Sequence, residues 1–381
     1  MSSIDDTHGL DLEAFLATFD EEVGYLDFAR VGPLSATARA EQEAGTRILE
    51  RVLPGTLEEL FRQDERVREA VAVLVRLPAD QIVFQPNTST ALMHTLFGVS
   101  GGVLLSPAEF PSLPFAAVRA AEVRGEASPV WLQGEPGRVT PESIREQLTP
   151  EITAVAVSLV DSRTGHLADV AGIRDVIGDR LLILDAIQGF GVVDAPFELA
   201  DVVASGGQKW VRAGWGTGFL ALSERALSRL TPALSGWTGA EAAEPWDAVG
   251  APRPGAGAFG LTNPDPIAQA RLAGALEDIA AVGVPAIAAA GAERVSRIVD
   301  LADEFGLAVV GSRSGGERAG IVVVEPPVEQ LPSLAESLLA HGVTARLRPT
   351  TVRFSAHAST TDDTLAALRG ALTSAGTGVV Y

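Results

Sequence analysis

The sequence predicts an α/β protein that has a large lobe with a mainly parallel sheet and a smaller α+β lobe towards the C-terminal end. Two observations favour this fold class. Short apolar runs alternate with helix-like segments between residues 81 and 222, which is typical of parallel strands covered on both faces. Beyond residue 306, shorter strands and helices alternate, which indicates a second compact unit. A chain of 381 residues is long enough to build both lobes.

The elements are predicted in chain order. Residues 35–77 are expected to be helical, with an interruption at Pro54 and Gly55. The predicted strands of the large lobe lie at residues 81–84, 102–105, 129–132, 154–160, 181–184, 202–204 and 218–222. Residues 236–260, rich in Gly, Pro and Ala, are expected to be irregular, and residues 265–306 to be helical with a break at 283–285. The tail is predicted to contain strands at 320–324, 345–347 and 352–355 and helices at 334–341 and 361–372.

These elements predict the domain organisation. Residues 1–34 form an N-terminal segment that contributes to the small domain. Residues 35–260 form the large α/β domain, and residues 261–381 form the small α+β domain. Within the irregular stretch, Trp237 and Trp246 are expected either to face the mouth of a pocket or to act as packing anchors.

Composition excludes several classes of function. The formal net charge is −20 and no run of basic residues occurs, so neither nucleic acid nor a membrane surface is expected as a partner. The absence of cysteine removes disulfides, thiolate metal sites and a cysteine nucleophile. The N-terminus has no basic segment followed by an apolar one, and a cytoplasmic protein is expected. Metal catalysis is not expected either, because the histidines lie without ligand spacing at His8, His94, His166, His341 and His357.

Lys209 is the only lysine among the 29 basic Lys and Arg side chains. A lysine amine can be deprotonated by burial or by neighbouring charges and can then attack a carbonyl, whereas a guanidinium stays protonated. Lys209 is therefore a candidate Schiff-base residue. A solvated surface lysine in an arginine-rich composition is the alternative.

Asp185 and Lys209 follow two predicted strands, and ligands of parallel sheets bind at the carboxyl ends of strands. The pair Gly206 and Gly207 precedes the lysine and would let backbone approach a ligand closely. A lysine and a carboxylate at neighbouring strand ends suit pyridoxal 5'-phosphate (PLP), whose aldehyde takes the amine and whose ring nitrogen takes the carboxylate. An aspartate at this place can also simply cap a turn.

The cofactor would also need an anion site and a cover for its ring. Thr88 and Ser89 lie between a strand and a helix-like segment, where hydroxyl and backbone N–H groups coincide at a helix N-terminus. A plain capping motif explains the same residues. Phe110, just after another strand, could cover the ring, although an isolated phenylalanine is more often a core residue.

Taken in order, these residues resemble the class V aminotransferases, PLP-dependent enzymes of fold type I that also include cysteine desulfurases, kynureninases, isopenicillin-epimerase-like proteins and C–S lyases. The resemblance extends from Tyr25-Leu26-Asp27 to Arg353-Phe354-Ser355-Ala356-His357. It implies the PLP-dependent transferase fold type I, with its large PLP-binding domain and small C-terminal domain. It also implies a homodimer.

The resemblance implies roles for individual residues. Lys209 would be the Schiff-base lysine and Asp185 the partner of the ring nitrogen. Arg353 would bind the substrate carboxylate, for which a planar guanidinium is suited, and an ordinary salt bridge is the alternative. Thr262 would reach the phosphate of the neighbouring subunit. The remaining cofactor-binding residues would be Thr88 and Ser89 at the phosphate, Phe110 on the ring, Asp161 and Gln188 near the phenolic oxygen, and Ser205 and Gln208 beside the lysine.

The sequence departs from the family pattern at several of these positions. Relatives often have serine or threonine three residues before the lysine, where this chain has Gly206 preceded by Ser205. Gln208 stands where histidine or tyrosine is common, and Asp161 where many relatives have asparagine. None of these departures touches Asp185 or Lys209, so they affect the expected substrate more than the expected cofactor.

The leading hypothesis is a PLP-dependent enzyme that acts on an amino acid, namely an aminotransferase that also uses a keto acid. Lys209 would then serve as the general base that moves the α-proton. The second hypothesis keeps the cofactor and replaces amino transfer by β-elimination, C–S cleavage or epimerisation. The third, from another class, is a non-catalytic protein that has kept the fold.

Overall fold

The computed structural model describes residues 10–241 and 248–376, so Trp246 lies outside the described residues. Its larger sheet contains seven strands: β1 (Ile82–Phe84), β2 (Gly101–Leu105), β3 (Ala127–Trp131), β4 (Ile152–Ser158), β5 (Leu181–Asp185), β6 (Val202–Gly206) and β7 (Gly218–Leu222). They lie in the order β1-β7-β6-β5-β4-β2-β3, and only β7 runs antiparallel to its neighbours. The predicted mainly parallel sheet is confirmed.

The apolar strands are buried on both faces, which explains their near-continuous hydrophobic runs. In β5, Leu182 and Leu184 belong to one core cluster, whereas Leu181 and Ile183 belong to the cluster on the opposite face. The helices of this part of the chain are α1 (Leu12–Leu16), α2 (Ala36–Arg51), α3 (Thr56–Phe61), α4 (Gln63–Val75), α5 (Thr88–Gly98), α6 (Ser112–Arg124), α7 (Pro141–Arg145), α8 (Val170–Ile177), α9 (Glu224–Arg229) and α10 (Pro266–Val282).

The remaining elements form a second sheet with its own core. They are α11 (Val284–Glu304), β8 (Ala308–Val310), β9 (Ile321–Glu325), α12 (Leu331–Ala340), β10 (Arg346–Leu347), β11 (Val352–Ser355) and α13 (Asp362–Ser374). The strands lie in the order β10-β11-β9-β8, and every neighbouring pair is antiparallel. The sequence analysis missed β8, because its three residues are only partly buried and show no clear period.

The N-terminal segment joins this small sheet. Tyr25 forms a bridge with Thr344 and Asp27 forms one with Ser355, and Leu26 is fully buried in the core of the small lobe. By contrast, α10 packs on α2 and α4 of the large lobe. The domain boundaries at residues 34 and 260 stay predictions.

The helix breaks occur where the backbone adopts left-handed conformations. Gly55 precedes α3 with a φ of 84°, and Gly283 separates α10 from α11 with a φ of 87°. Glycine accepts such angles without a steric penalty. Among the described residues no single helix is both long and apolar enough to cross a membrane; α10 and α11 meet the two requirements only when taken together, across an 87° bend.

Candidate active site

Asp185 and Lys209 lie at neighbouring strand ends, as the sequence predicts. Strand β5 ends at Asp185 and pairs in parallel with β6, where Asp185 lies opposite Ala204. Strand β6 ends at Gly206, three residues before the lysine. Because parallel strands end at the same edge of a sheet, both side chains reach the edge at which ligands bind.

The Lys209 amine is buried, so the alternative of a solvated surface lysine is wrong. Only 8% of the residue is exposed. Burial lowers the pKa of Lys209 to about 8, and the charge of Arg353 lowers it further, whereas Asp185 and Asp27 raise it. At pH 7 about a tenth of such an amine is neutral, against well under a thousandth for an ordinary lysine. The amine can therefore act as a nucleophile and as a base near neutral pH.

One oxygen of Asp185 is left without a partner. Oδ1 accepts a hydrogen bond from the Ile187 N–H at 3.1 Å, but Oδ2 is buried and has no hydrogen-bond partner among the described residues. Burial raises the pKa of Asp185 to about 6, while the Ile187 N–H and Lys209 lower it. A buried polar atom without a partner costs free energy. Oδ2 is thus suited to a donor from a ligand, such as a protonated ring nitrogen.

The N-terminus of α5 lies near the same strand edge. Asn87 is its cap and accepts a hydrogen bond from the Thr90 N–H at 2.9 Å. The Thr88 hydroxyl is buried and has no partner in the described part of the chain. A Cβ at Gly206 would lie 3.2 Å from Thr88 Oγ1, so the glycine keeps this space open. Capping is therefore done by Asn87, and Thr88 keeps a hydroxyl for an anion at a helix N-terminus.

Ser89, expected at the phosphate, and Ser205 and Gln208, expected beside the lysine, differ in their surroundings. The Ser89 hydroxyl forms a hydrogen bond with that of Ser112 at 2.7 Å. The Ser205 hydroxyl is fully buried and donates to the Gly206 carbonyl at 3.3 Å, within its own strand. A Cβ at Gly206 would overlap Gln208 Oε1, so Gln208 borders the same open space as Thr88.

Gln188 is held at both ends of its amide. Its Nε2 donates to the Ala29 carbonyl at 3.0 Å, and its Oε1 accepts from Trp210 Nε1 at 2.9 Å. The side chain is thereby fixed beside Lys209, and it lines the same cavity. Its predicted contact near the phenolic oxygen of the cofactor stays a prediction.

The Asp161 side chain stabilises the turn that follows it. Its Oδ1 accepts hydrogen bonds from the backbone N–H groups of Arg163 and Thr164, both at 2.8 Å, and from the Thr164 hydroxyl at 3.0 Å. The residue borders a small buried space that also contains Glu109. The predicted contact between Asp161 and a cofactor oxygen stays a prediction.

Arg353 occupies β11 and is 5% exposed. Its Nη2 donates to Asp27 Oδ1 at 3.2 Å and its Nη1 to the Ser162 carbonyl at 3.1 Å, while Nε has no partner among the described residues. The salt-bridge alternative is thus correct for one edge of the guanidinium. Because a guanidinium has five N–H donors, donors remain for a substrate carboxylate.

A cavity of about 350 Å³ brings several of these residues together. It is lined by Phe110, Gln188, Lys209 and Arg353. The Phe110 ring centroid lies 5.4 Å from the Lys209 amine, and 44% of the phenylalanine is exposed. Phe110 is therefore a residue of the cavity wall, and the alternative of a core residue is wrong.

Thr262 and His357 lie outside this wall. A Cβ at Gly236 would lie 2.8 Å from Thr262 Oγ1, and the reach of Thr262 towards a neighbouring subunit stays a prediction. His357 is buried against Phe19 and Phe28, and its Nδ1 lies 2.9 Å from Ser359 Oγ. It is a structural histidine. Within residues 10–241 and 248–376, no group of three or more metal-ligating side chains occurs.

Arg212 was not found by the sequence analysis, although it anchors the loop that carries Lys209. It is fully buried with a φ of 62°. Its guanidinium donates to the Pro33 carbonyl at 2.6 Å, to Ser359 Oγ at 3.0 Å and to Glu21 Oε2 at 2.7 Å. An arginine three residues after the lysine carried no signal in a sequence with many arginines.

Fold and site together define an enzyme with a reactive lysine at the edge of a mainly parallel sheet. The chain belongs to the aminotransferase class-V family, whose model matches residues 51–304. Among curated proteins, the kynureninase of Deinococcus radiodurans is 27% identical over 307 residues, which are 76% of this chain and 72% of the relative. A probable cysteine desulfurase of Methanothermobacter thermautotrophicus is 29% identical over 185 residues, 46% of each chain.

Solved structures share the fold. The apo cysteine desulfurase of Thermococcus onnurineus NA1 superposes with a TM-score of 0.79 at 20% identity, covering 91% of this chain and 93% of that one. A lysine-to-alanine mutant of C-DES with glycine covalently linked to its PLP cofactor superposes with a TM-score of 0.82 at 18% identity, covering 95% and 98%. The predicted fold type I is confirmed.

The cofactor of this family member is PLP, and the described residues fit it. Lys209 has a buried amine that would take the aldehyde, and Asp185 Oδ2, which has no partner among the described residues, would accept from the ring nitrogen. Thr88 supplies a buried hydroxyl without a partner at the N-terminus of α5 for the phosphate. The chain is therefore a PLP-dependent enzyme of class V.

Proposed function

We propose that this enzyme is a lyase that removes the group attached to the β-carbon of an amino acid. The observation that carries an amino acid reaction is the buried Lys209 amine, with its pKa of about 8, between Asp185 and Arg353. Lyase chemistry is supported by the curated relatives, which include a kynureninase and probable cysteine desulfurases. When bound, PLP withdraws electrons from the bonds of the substrate's α-carbon.

Each residue of the site has a proposed task. Lys209 would hold the cofactor through its amine, and with a substrate in place its Nζ would accept the α-proton. Asp185 keeps the ring nitrogen protonated by its negative charge. Arg353 binds the substrate carboxylate with the donors that Asp27 and Ser162 leave over.

Amino transfer is the second candidate, because the family model that matches the chain carries that name. Both reactions begin with removal of the α-proton, so the same Lys209 serves both. A route in which a cysteine of the enzyme takes up sulfur as persulfide is excluded, since the chain contains no cysteine. Sulfur removed from a substrate would have to leave by another route.

A product assay distinguishes these reactions. The PLP-loaded enzyme is incubated with a panel of amino acids, and pyruvate with ammonia, alanine, keto acid with aminated cofactor, and racemised substrate are measured separately. From a β-substituted amino acid we expect pyruvate and ammonia when the β-group leaves with its bonding electrons, or alanine when it leaves without them, and neither product with Lys209→Ala. Keto acid formed in the same amount as aminated cofactor would instead identify an aminotransferase. Absence of every product and of any spectral change would support a non-catalytic relative.

We further propose a cytoplasmic homodimer in which Thr262 completes the neighbouring site. Thr262 lies just before α10, outside the wall of the cavity that contains Lys209 of its own chain. Analytical ultracentrifugation of the active enzyme should show a dimer. An active monomer would refute this assembly.

A further inference from the structure

The cavity above Lys209 has a strongly basic wall in a protein whose net charge is −20. Its lining contains Lys209 and five arginines, and no acidic residue: the arginines are Arg30, Arg163, Arg346, Arg348 and Arg353. We call the three from the small lobe, Arg346, Arg348 and Arg353, the arginine cluster. A positive cavity in a negative protein attracts anions selectively.

The strand register brings the cluster together. Arg346 in β10 lies directly opposite Arg353 in β11. Arg348 follows two residues after Arg346, and residues two apart along an extended chain lie on the same side. Like charges directly opposite each other destabilise a sheet. The fold tolerates this repulsion beside its reactive lysine, where a bound anion would relieve it.

A shared carbonyl fixes how close the guanidiniums lie. The Ser162 oxygen accepts hydrogen bonds from Arg353 Nη1 at 3.1 Å and from Arg348 Nη2 at 3.2 Å. The two nitrogens are therefore no more than about 6.3 Å apart. Burial lowers the pKa of Arg348, and the neighbouring charges of Arg163 and Arg346 lower it as well, whereas those of Asp161 and Asp27 raise it.

Only one of these charges is neutralised by a direct ion pair. Asp27 pairs with Arg353 at 3.2 Å. In the part of the chain that the structure describes, Arg30, Arg163, Arg346 and Arg348 have no acidic group within 4.0 Å. The nearby Asp161 has its Oδ1 occupied by the turn that follows it. The cavity thus holds more positive charge than one α-carboxylate can balance.

We propose that the substrate is an amino acid whose side chain ends in a second anion, which Arg348 and Arg346 bind while Arg353 binds the α-carboxylate. This inference rests on the proposed function for the amino acid itself and adds the class of its side chain. The burial of the three arginines indicates which of them binds which anion. Arg353 is buried next to Lys209, Arg348 is half-buried and Arg346 is exposed at the mouth. The side-chain anion is a carboxylate, a sulfur oxyanion or a phosphate, all of which accept paired hydrogen bonds from arginine.

Calorimetry with unreactive anions tests the second subsite apart from catalysis. The PLP-loaded enzyme is titrated with butanoate, succinate, 3-sulfopropanoate and 3-phosphonopropanoate, which share a carboxylate and differ at the other end. We expect at least one of the three dianions to bind about tenfold or more tightly than butanoate, because its second anion gains charge-assisted hydrogen bonds that butanoate cannot form. The best of the three identifies the anion.

Variants separate the subsite from general effects. Arg346→Gln changes an exposed side chain and Arg348→Gln a half-buried one, and each should weaken dianion binding about tenfold while butanoate binding changes less than about twofold. Arg47→Gln, at an exposed position of α2, should leave both unchanged. Equal affinity for butanoate and every dianion, or an unchanged preference in both variants, would overturn the proposal. If dianions bind selectively but no amino acid reacts, the proposed function fails and the subsite stands.

Discussion

Replacing Glu109 with glutamine should stabilise the cofactor-free protein above pH 7. Glu109 is 4% exposed and accepts hydrogen bonds from the backbone N–H and the hydroxyl of Ser158. Burial raises the pKa of Glu109 to about 7 from an ordinary 4.5; Ser158 lowers it, and Asp161 and Asp185 raise it further. Because the folded protein then binds this proton more tightly than the unfolded chain, the stability from Glu109 falls as pH rises from about 4.5 to 7.

The size of the stability change follows from the pKa shift of Glu109. A change from 4.5 to about 7 corresponds to roughly 3 kcal/mol of unfolding free energy, at about 1.36 kcal/mol for each pKa unit. Glutamine is uncharged at every pH and can still accept from Ser158. At pH 8 the unfolding free energy of the variant should therefore exceed that of the wild type by up to this amount. At pH 5 most of this difference should disappear.

Urea unfolding followed by tryptophan fluorescence at pH 5 and pH 8 measures this difference. Glu146→Gln, at an exposed position, serves as the matched control and should show no pH-dependent gain. If Glu109→Gln differed from the wild type by the same free energy at both pH values, Glu109 would not be protonated by burial and the reasoning would be refuted.

Three further predictions concern residues that contact Lys209 or Arg353 or border the expected phosphate position. Gly32→Ala should lower the melting temperature and the cofactor content measured by absorbance, because the new Cβ would overlap the Lys209 carbonyl oxygen; unchanged values would refute the close packing. Asp27→Asn should lower the unfolding free energy by about 3–5 kcal/mol, since it leaves Arg353 buried without its acid, and succinate should recover part of the loss. Thr88→Val should weaken PLP binding about tenfold in a titration while leaving the cofactor-free protein as stable or more stable, because its hydroxyl has no protein partner among the described residues.

Much of the fold could be predicted because most strands of the large sheet are buried along nearly their whole length, the edge strand β3 excepted. Strand β5 is apolar throughout and ends in a single aspartate, so both its existence and the place of Asp185 can be read from the pattern. The break between α10 and α11 at Gly283 was equally visible. Strand β8 was not, because three partly buried residues carry too little periodicity.

The chemistry of the site was predictable where a residue type was rare, and not where it was common. Lys209 was conspicuous as a single lysine, whereas Arg212, Arg346 and Arg348 were hidden among 28 arginines. The juxtaposition of Arg346 with Arg353 depends on the register of β10 and β11, which the intervening turn determines. Sequence alone does not fix that register.

The most direct test of the account is where the cofactor becomes attached. The PLP-loaded protein is reduced with borohydride, digested and analysed by mass spectrometry, with the reduced Lys209→Ala protein as control. We expect a cofactor adduct on the peptide containing Lys209 and none in the control, since the chain has no other lysine. An adduct confined to the N-terminal amine, or no adduct in a protein that binds PLP, would contradict it.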